Sequence, residues 1–391
     1  MTRRTVFAER ARIPTGVSIL EVLARAKELE AGGREIIHLE IGEPDFDTPA
    51  NITRAAVRAL DEGYTHYGPS AGLPEVREAI AKHVTQTRGV DTAAEQVVVT
   101  TGAKAAIFFS ILALVDPGDE VIYPNPGFPS YEATIKMVGA VPVPMPLVEE
   151  RDFSIDLDRF ASLITAKTKL CILNSPQNPT GGVLPRDVLE GIADLAERHD
   201  FYVLTDEIYS RIIYDGTFAS YYALPNAGER TVLIDGFSKT YAMTGWRLGY
   251  GVMPRSFAPM VAKLFSNASS STCTFVQRAG IEALTGPQDS VDNMIGEFRA
   301  RRDLLVDGLN RLPGFVCRIP AGAFYVFPNI TGTGMTSMAL QEFLLEEAGV
   351  AVVAGPSFGE YGEGYIRLSY ANSRTNIQTA LDGMAAALDK R

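Results

Sequence analysis

Cysteine and histidine are scarce in this chain, and their positions disfavour disulfide and metal chemistry. The 391 residues include three cysteines, Cys171, Cys273 and Cys317, which lie far apart and form no Cys-x-x-Cys pair. An odd number of distant cysteines predicts neither a disulfide framework nor a zinc site. The four histidines are scattered, without the spacing of metal ligands. We therefore expect no metal and a reducing, cytoplasmic setting.

Long hydrophobic runs and an excess of positive charge are lacking as well. The first residues contain no long apolar stretch, so no secretory signal is predicted. No run reaches the roughly 18 apolar residues of a membrane span. The 36 basic and 47 acidic residues give a net charge of −11, which disfavours nucleic acid and anionic membranes as partners. Small anionic substrates stay open, because a buried pocket can be locally basic.

A regular alternation of strand-like and helical segments begins near residue 97. It predicts crossover units and a mostly parallel sheet flanked by helices. The strand-like segments are 97–100, 120–123, 141–145, 169–174, 201–205 and 231–235, and the helical ones are 103–115, 128–138, 156–164 and 185–199. Three prolines in the third segment, Pro142, Pro144 and Pro146, predict an edge strand. Because parallel sheets bind ligands at the carboxyl ends of their strands, residues just after the strands matter most.

The pattern changes beyond about residue 285, which predicts a second, smaller α+β domain. At 391 residues with 46% hydrophobic content, two domains are expected. Short strand-like segments follow a long charged helix there, at 315–318, 322–327, 350–353 and 365–369. The predicted division is an N-terminal segment 1–44 belonging to the small domain, a large domain 45–284 and a C-terminal small domain 285–391.

Three local features outside the regular pattern also give predictions. Thr48 is placed to cap a helix with Pro49 at its first position. Arg278 is expected to form a salt bridge on a helix surface rather than to bind substrate. In the long helix, the charge run that includes Arg301 and Arg302 is expected to face solvent.

A lysine directly after an apolar strand is the most informative feature. Lys239 lies in Asp235-Gly-Phe-Ser-Lys-Thr-Tyr-Ala-Met-Thr-Gly-Trp-Arg247. A deprotonated lysine forms a Schiff base with an aldehyde, and Arg247, eight residues later, can hold a phosphate in a bidentate clamp. A lone lysine is ordinarily a solvated surface charge, but the aromatic and uncharged neighbours of Lys239 argue against that interpretation.

Four other segments place polar residues at or after strands, and each has a purely structural alternative. Gly102 to Lys104 opens a helix whose free N–H groups can bind phosphate, or it is a simple turn. Asn178-Pro179 is a candidate site segment or an ordinary turn. Asp206 is able to pair with a pyridinium nitrogen or to cap a helix. Arg367 lies inside an apolar strand and needs an anionic partner, either a substrate carboxylate or an internal salt bridge.

Together these segments resemble class I/II aminotransferases of pyridoxal-phosphate (PLP) fold type I, particularly the bacterial aspartate aminotransferase subgroup. The resemblance runs from about Ile36 to the C-terminus and includes Gly42-Glu-Pro-Asp-Phe-Asp-Thr-Pro near its start. It implies PLP as cofactor and a ping-pong transfer of an amino group between an L-amino acid, glutamate or aspartate, and a 2-oxo acid. It also implies a homodimer with shared active sites.

The alternatives are another reaction on the same fold, such as that of a β-lyase, a decarboxylase or a synthase, and a PLP-sensing regulator. The first stays open, because the cofactor lysine is common to those enzymes. The second is disfavoured, because the segment before Ile36 is too short for a DNA-binding module.

The resemblance also implies a role for each candidate residue. Lys239 matches the Schiff-base lysine, which also moves protons, and Asp206 matches the carboxylate that keeps the pyridinium nitrogen protonated. Among the other residues implied to hold the cofactor, Phe128 stacks on the ring, and Asn178 and Tyr209 bind its 3-oxygen. Tyr67 reaches the phosphate of the neighbouring subunit. The remaining cofactor ligands implied are Gly102, Ala103, Lys104, Ser238 and Arg247. The residues implied to bind substrate are Gly42, Asn178, Arg367, Lys104 and Thr15. Of these, Arg367 holds the α-carboxylate, and Lys104 and Thr15 reach the distal carboxylate.

Two positions depart from the pattern of many relatives. Gly236 stands where they have Ser, which shifts phosphate binding toward Ser238 and Arg247. Phe128 stands where many aspartate-specific relatives have Trp, so the substrate is less firmly implied than the cofactor. For Lys104 the alternative is that its side chain only offsets phosphate charge or faces solvent.

Overall fold

A computed structural model of the chain describes residues 7–13, 19–225 and 227–390. The strands are β1 (Ile37–His38), β2 (Val97–Thr100), β3 (Glu120–Asn125), β4 (Val141–Pro146), β5 (Thr168–Asn174), β6 (Tyr202–Asp206), β7 (Thr231–Gly236), β8 (Gly249–Val252), β9 (Tyr325–Val326), β10 (Val350–Ala351), β11 (Val353–Ala354) and β12 (Ile366–Ser369). The α-helices are α1 (Ile19–Ala31), α2 (Ala50–Asp61), α3 (Pro74–Arg88), α4 (Ala103–Leu114), α5 (Ser130–Met137), α6 (Leu157–Leu163), α7 (Arg186–His199), α8 (Ala258–Ser269), α9 (Thr274–Thr285), α10 (Asp289–Leu309), α11 (Ser337–Ala348) and α12 (Arg374–Leu388).

A seven-stranded sheet in the order β2-β8-β7-β6-β5-β3-β4 confirms the predicted mostly parallel sheet. Strand β8 is antiparallel to both of its neighbours, β2 and β7, and the other pairs are parallel. Strand β2 therefore runs in the same direction as β5, β6 and β7, so their carboxyl ends share one edge. The proline-rich β4 pairs with β3 alone, as predicted for an edge strand, because proline has no N–H to donate to a second neighbour.

Helices cover both faces of the large sheet because successive strand residues point to opposite sides. On β2, for example, Val98 packs into one core with α4, α5 and α8. Its neighbours Val97 and Val99 pack into another core with α3 and α9. A third buried cluster joins β5 and β6 to α6 and α7. The site edge is thus held by strands that are buried on both faces.

Two small sheets bring the N-terminal segment and the C-terminal part of the chain together. Strand β1 pairs in parallel with β10, and β11, β12 and β9 form an antiparallel sheet. The expected strand over 350–353 is thus two short strands in different sheets. Over 315–318 the structure has only an isolated bridge between Val316 and Asn329, so the strand predicted there is wrong. The boundaries 1–44, 45–284 and 285–391 stay a prediction.

Three side chains test the local predictions. Thr48 does not cap α2: its hydroxyl donates to the Ala242 carbonyl, and Pro49 is the N-cap residue. Arg278 forms the expected ion pair with Glu75 at 3.2 Å. Arg301 is buried and pairs with Asp45 at 2.7 Å.

No helix in the described ranges is long and apolar enough to cross a membrane.

Arg302 is also buried, and it pairs with Asp215 and donates to the Pro320 carbonyl. The prediction that Arg301 and Arg302 face solvent is therefore wrong. The charge run suggested exposure, but each guanidinium finds a partner from a distant segment, which offsets much of the cost of burying its charge.

Candidate active site

A cavity of about 440 Å³ opens at the shared carboxyl edge of the large sheet. Its walls come from the ends of β5 and β6, the start of α4, the loop after β7, strand β12 and residues 41–43. Most of the candidate site residues line it: Gly42, Ala103, Lys104, Phe128, Asn178, Asp206, Tyr209, Ser238, Lys239, Arg247 and Arg367. Residues from the whole length of the chain thus meet where the parallel-sheet rule places a ligand.

Lys239 follows β7 by three residues and points its amine into this cavity. Its Nζ donates to the Gly42 carbonyl oxygen at 2.6 Å and lies 5.8 Å from the centre of the Phe324 ring. Burial, which disfavours the charged ammonium, lowers the pKa of Lys239 to about 8, against the opposing effect of Glu43. A lysine with such a pKa has a substantial neutral fraction near physiological pH, which is the form that attacks an aldehyde.

Asp206 is the last residue of β6, beside Asn174 of β5 in the strand register. Its carboxylate accepts a hydrogen bond from the Tyr131 hydroxyl at 2.7 Å and from the Ile208 N–H at 3.2 Å. Burial raises the pKa of Asp206 to about 6, in spite of both hydrogen bonds. A buried carboxylate of this kind is stabilised by a cation beside it, such as a protonated ring nitrogen.

Arg367 lies inside β12, with 1% of its surface exposed. Its Nη1 donates to the Asn178 side-chain oxygen at 3.1 Å, and its Nη2 donates to the Glu40 carbonyl. Within the described residues its Nε has no hydrogen-bond partner, and it forms no ion pair with a carboxylate. The alternative of an internal salt bridge is therefore not what the structure has, and the guanidinium is free to bind an anion.

The turn between β2 and α4 brings two candidate phosphate ligands together. Gly102 is the N-cap residue of α4 and has a φ of 85°. A Cβ atom built on it would lie 2.5 Å from Nη2 of Arg247, so glycine is required for this approach. Arg247 itself donates to the Thr244 carbonyl at 2.9 Å. Free N–H groups at a helix start beside a guanidinium form an anion site.

Lys104 and Phe128 form one wall of the cavity. The Lys104 Nζ lies 5.1 Å from the centre of the Phe128 ring, which packs edge-on against Tyr131. Burial, helped by the nearby Arg247, lowers the pKa of Lys104. Lys104 lines the cavity, yet a large part of its side chain stays exposed to solvent.

Two residues that the sequence analysis did not single out also shape the site. Tyr131 holds Asp206, as described, and lies in the first turn of α5, three residues after Phe128. Tyr325 is buried, and its hydroxyl lies 2.8 Å from that of Tyr209. Its place in the apolar segment Ala-Phe-Tyr-Val-Phe predicted only that it belongs to a strand. Nothing in the sequence indicated which face of that strand meets the cavity.

Two of the described candidates, Tyr67 and Gly102, do not line the cavity. Tyr67 is 90% exposed and is absent from the cavity wall. Thr15 lies outside the described residues, so its predicted role is neither supported nor opposed. The turn residue Gly102 stands just outside the wall, behind Arg247.

The cavity is locally basic although the chain is acidic. Four cations line it, Lys104, Lys239, Arg247 and Arg367, against the two carboxylates Glu43 and Asp206. Glu43 accepts a hydrogen bond from the Thr244 hydroxyl at 2.8 Å, and none of the four cations has an ion pair within 4.0 Å among the described residues. Such a site suits a ligand with more than one negative group.

Comparison with known proteins places the chain in a family. The sequence model of the family aminotransferase class I and II matches residues 34–384. The aspartate aminotransferase of Pyrococcus horikoshii is 43% identical over 389 residues, 99% of this chain and 98% of that protein. The aspartate/prephenate aminotransferase of Thermus thermophilus is 41% identical, over 94% of this chain and 95% of that protein. The chain therefore belongs to aminotransferase class I and II.

The solved structures agree with this assignment. The aspartate aminotransferase from Thermus thermophilus with maleate matches with a TM-score of 0.94 and 40% identity, over 97% of this chain and 99% of that one. The protein is thus an aminotransferase, and it depends on PLP as this family does. The predicted family, fold type and cofactor are confirmed.

The residues present fit PLP on the chemistry of their side chains. The turn at Gly102 with Arg247 suits its phosphate, buried Asp206 its ring nitrogen, and Lys239 its aldehyde. When bound, PLP supplies a ring that accepts electrons from the substrate carbon. The protein contributes binding, orientation and control of protons.

Proposed function

We propose that this enzyme moves the amino group between a dicarboxylic L-amino acid, aspartate or glutamate, and a 2-oxo acid such as oxaloacetate or 2-oxoglutarate. The two half-reactions follow each other in a ping-pong order. The observation that supports this choice is the pair of cations Lys104 and Arg367, which line one cavity without acidic partners. A substrate with two carboxylates can bind both cations, whereas alanine or phenylalanine, with one carboxylate, can bind only one of them.

Arg367 is the group we assign to the α-carboxylate. A planar guanidinium binds a carboxylate through two parallel hydrogen bonds, and one guanidinium nitrogen, Nε, is unpartnered. Asn178 fixes the guanidinium from one side through its side-chain oxygen at 3.1 Å. A substrate bound this way presents its α-carbon in a fixed direction, so that the same bond is cleaved in every turnover.

Lys239 is the group we assign to attachment of the cofactor and to proton movement. With a pKa of about 8, it is able to hold a proton taken from the substrate α-carbon and to give it back. Asp206 keeps the ring nitrogen protonated, and Tyr209 donates to the ring oxygen. These roles rest on the resemblance together with the common cavity wall.

Lys104 is the group we assign to the distal carboxylate. The structure of the Thermus thermophilus relative was solved with maleate, a four-carbon dicarboxylate, which agrees with a substrate that has two negative groups. A charge-assisted contact contributes about 1.5–3 kcal/mol, roughly ten- to a hundredfold in affinity. Lys104 lines the cavity and remains exposed, so its ammonium is accessible to a ligand carboxylate.

The substitution Lys104→Ala tests this assignment. We expect kcat/KM for aspartate and glutamate to fall about ten- to a hundredfold, and the values for alanine and phenylalanine to stay nearly unchanged. Lys167→Ala, at an exposed position, is the control for loss of a lysine. An equal fall for all four amino acids would assign Lys104 to the phosphate and leave the dicarboxylate proposal without its residue.

We further propose a homodimer with active sites shared between subunits. In one chain, Tyr67 and Arg247 are both exposed, although both match cofactor ligands. Apolar Val57 and Leu60 of α2 are exposed as well. A partner subunit that covers Tyr67 would give its hydroxyl a phosphate to bind, and two-fold dimers are the commonest oligomers.

The cytoplasm is the compartment we propose. The support is the state of Cys171, Cys273 and Cys317, each of which is a free thiol. Unpaired cysteines are usual in a reducing compartment. Fractionation of cells followed by detection of the protein tests this directly.

A further inference from the structure

Two buried tyrosines meet inside the cavity, and only one of them matches a known type of cofactor ligand. Tyr325 is 1% exposed and Tyr209 is 4% exposed. Their hydroxyl oxygens lie 2.8 Å apart, and both residues line the cavity. Burial raises the pKa of both phenols, so each keeps its proton at neutral pH.

Either hydroxyl can donate in the hydrogen bond between them, and a ligand oxygen that accepts from Tyr209 would set the direction. In the described part of the chain, the Tyr325 hydroxyl has one hydrogen-bond partner, the oxygen of Tyr209. The backbone of Gly42 is also close, since a Cβ atom added there would lie 2.6 Å from the Tyr325 oxygen. A hydroxyl has one proton to donate. If Tyr325 donates to Tyr209, the Tyr209 proton is left to donate to a ligand in the cavity.

The ring of Tyr325 has a second contact, with the guanidinium of Arg367. The Arg367 Cζ lies 4.7 Å from the centre of the Tyr325 ring and 4.9 Å from that of Phe358. Two aromatic faces thus hold the guanidinium plane, while Asn178 holds one of its nitrogens. One side chain, Tyr325, therefore contacts both the group assigned to the cofactor oxygen and the group assigned to the substrate carboxylate.

We propose that Tyr325 is a positioning residue with two separable parts. Its hydroxyl donates to Tyr209 and so directs the Tyr209 proton toward the 3-oxygen of the cofactor ring. Its ring fixes the plane of Arg367 for the substrate carboxylate. This inference rests on the proposed roles of Lys239, Tyr209 and Arg367, and it adds a residue that links them.

The hydroxyl part is tested by Tyr325→Phe, which keeps the ring. The measurement is the pH at which the absorbance of the bound cofactor changes, without substrate and without turnover. A hydrogen bond to the charged form of the ring oxygen lowers that pH. We expect Tyr325→Phe to raise it by about 0.3–1 unit, the size of one hydrogen bond. In a Tyr209→Phe background the same substitution should give no further shift.

The ring part is tested by comparing Tyr325→Leu with Tyr325→Phe. The measurement is the dissociation constant of maleate, a dicarboxylate that is not turned over. We expect Tyr325→Phe to bind maleate within about twofold of the wild type, and Tyr325→Leu to bind it about three- to tenfold more weakly. Tyr370→Phe is the control, because it removes a buried hydroxyl that donates to the Ala323 carbonyl outside the cavity wall.

Two results would overturn the inference. One concerns the hydroxyl. An unchanged absorbance midpoint in Tyr325→Phe would show that this hydroxyl has no effect on the cofactor, and a shift of equal size in the Tyr209→Phe background would show that the two hydroxyls act independently. The other is an equal loss of maleate binding in the Phe and Leu variants. Loss of the proposed function is distinguishable from both. If Lys239→Ala keeps the pH-dependent absorbance, the cofactor lysine is another residue and this inference falls with it.

Discussion

The Lys239 amine donates to the main-chain oxygen of Gly42 at 2.6 Å, across 197 residues of sequence. Gly42 is also the point where the N-terminal segment approaches the Tyr325 hydroxyl. Gly42 is thus close both to the lysine assigned to the cofactor and to the tyrosine that positions Tyr209. The closeness of the Tyr325 hydroxyl explains why position 42 has no room for a side chain.

Gly42→Ala should therefore impair catalysis. The new methyl group would lie 2.6 Å from the Tyr325 oxygen, and overpacking of this kind costs about 1–3 kcal/mol. We expect the active conformation to bear this cost, which corresponds to a fall in kcat/KM of roughly tenfold. Gly296→Ala, whose methyl group meets nothing within 4 Å, is the matched control. Adding Tyr325→Phe should restore part of the loss, and wild-type activity in Gly42→Ala would show that the segment is free to move aside.

The buried carboxylate of Asp206 predicts a dependence of stability on pH. Its pKa in the folded chain is about 6, above its ordinary 3.8, so the folded state binds this proton more tightly than the unfolded state. The free energy of unfolding of the cofactor-free protein should then fall as the pH rises from about 4 to 6, by at most about 3 kcal/mol. Asp206→Asn should remove this decrease and abolish most turnover.

Denaturant unfolding of the cofactor-free protein at several pH values checks this. Asp91→Asn, at an exposed position, controls for the change of carboxylate to amide. If Asp206→Asn lowers stability by the same amount at pH 4 and at neutral pH, the ionised carboxylate is not the unfavourable group. The assignment of Asp206 to a cationic ring nitrogen would lose its electrostatic support.

The lowered pKa of Lys239 predicts how cofactor loading depends on pH. The reactive form is the neutral amine, so the rate constant for loading should rise with pH and level off above about 8. Glu43 raises the pKa of Lys239, and Glu43→Gln should move this transition to lower pH. Glu35→Gln, which alters an exposed carboxylate, should leave it in place. A loading rate that is independent of pH would contradict the assignment of the attacking amine.

Tyr67→Phe tests the shared active site. The side chain is 90% exposed in one chain, so loss of its hydroxyl should not affect an independent monomer. In a dimer where Tyr67 reaches the partner's phosphate, cofactor should be lost several-fold faster on dialysis, with the dimer intact by sedimentation. Tyr361→Phe, at another exposed tyrosine, is the control. A fully active monomer at assay concentration would contradict the shared site.

The large sheet and the edge that carries the site were predictable from sequence, for a physical reason. Strands β5, β6 and β7 are buried on both faces and read as apolar runs, so polar residues at their ends stand out. Asn178, Asp206 and Lys239 follow or end such runs. The parallel-sheet rule then predicts that they lie close together, and all three line the same cavity.

Contacts that depend on distant segments could not be predicted in this way. Thr48 has the spacing of a helix cap, yet its hydroxyl finds the Ala242 carbonyl. Arg301 lies in a charge run, yet it is buried and forms an ion pair with Asp45. Tyr325 is one of three aromatics in the predicted strand 322–327, and only the approach of Gly42 and Tyr209 gives it a role. A local pattern contains no information about which remote group will lie opposite.

The central claim is that Lys239 holds the cofactor, and chemical trapping tests it most directly. Borohydride reduction of the loaded enzyme fixes the cofactor on its lysine, and proteolysis with mass spectrometry then locates the label. We predict a single labelled peptide that contains Lys239, and no label in Lys239→Ala. A label on Lys104 or on any other lysine would contradict the assignment, and with it the roles proposed for Gly42, Tyr209 and Tyr325.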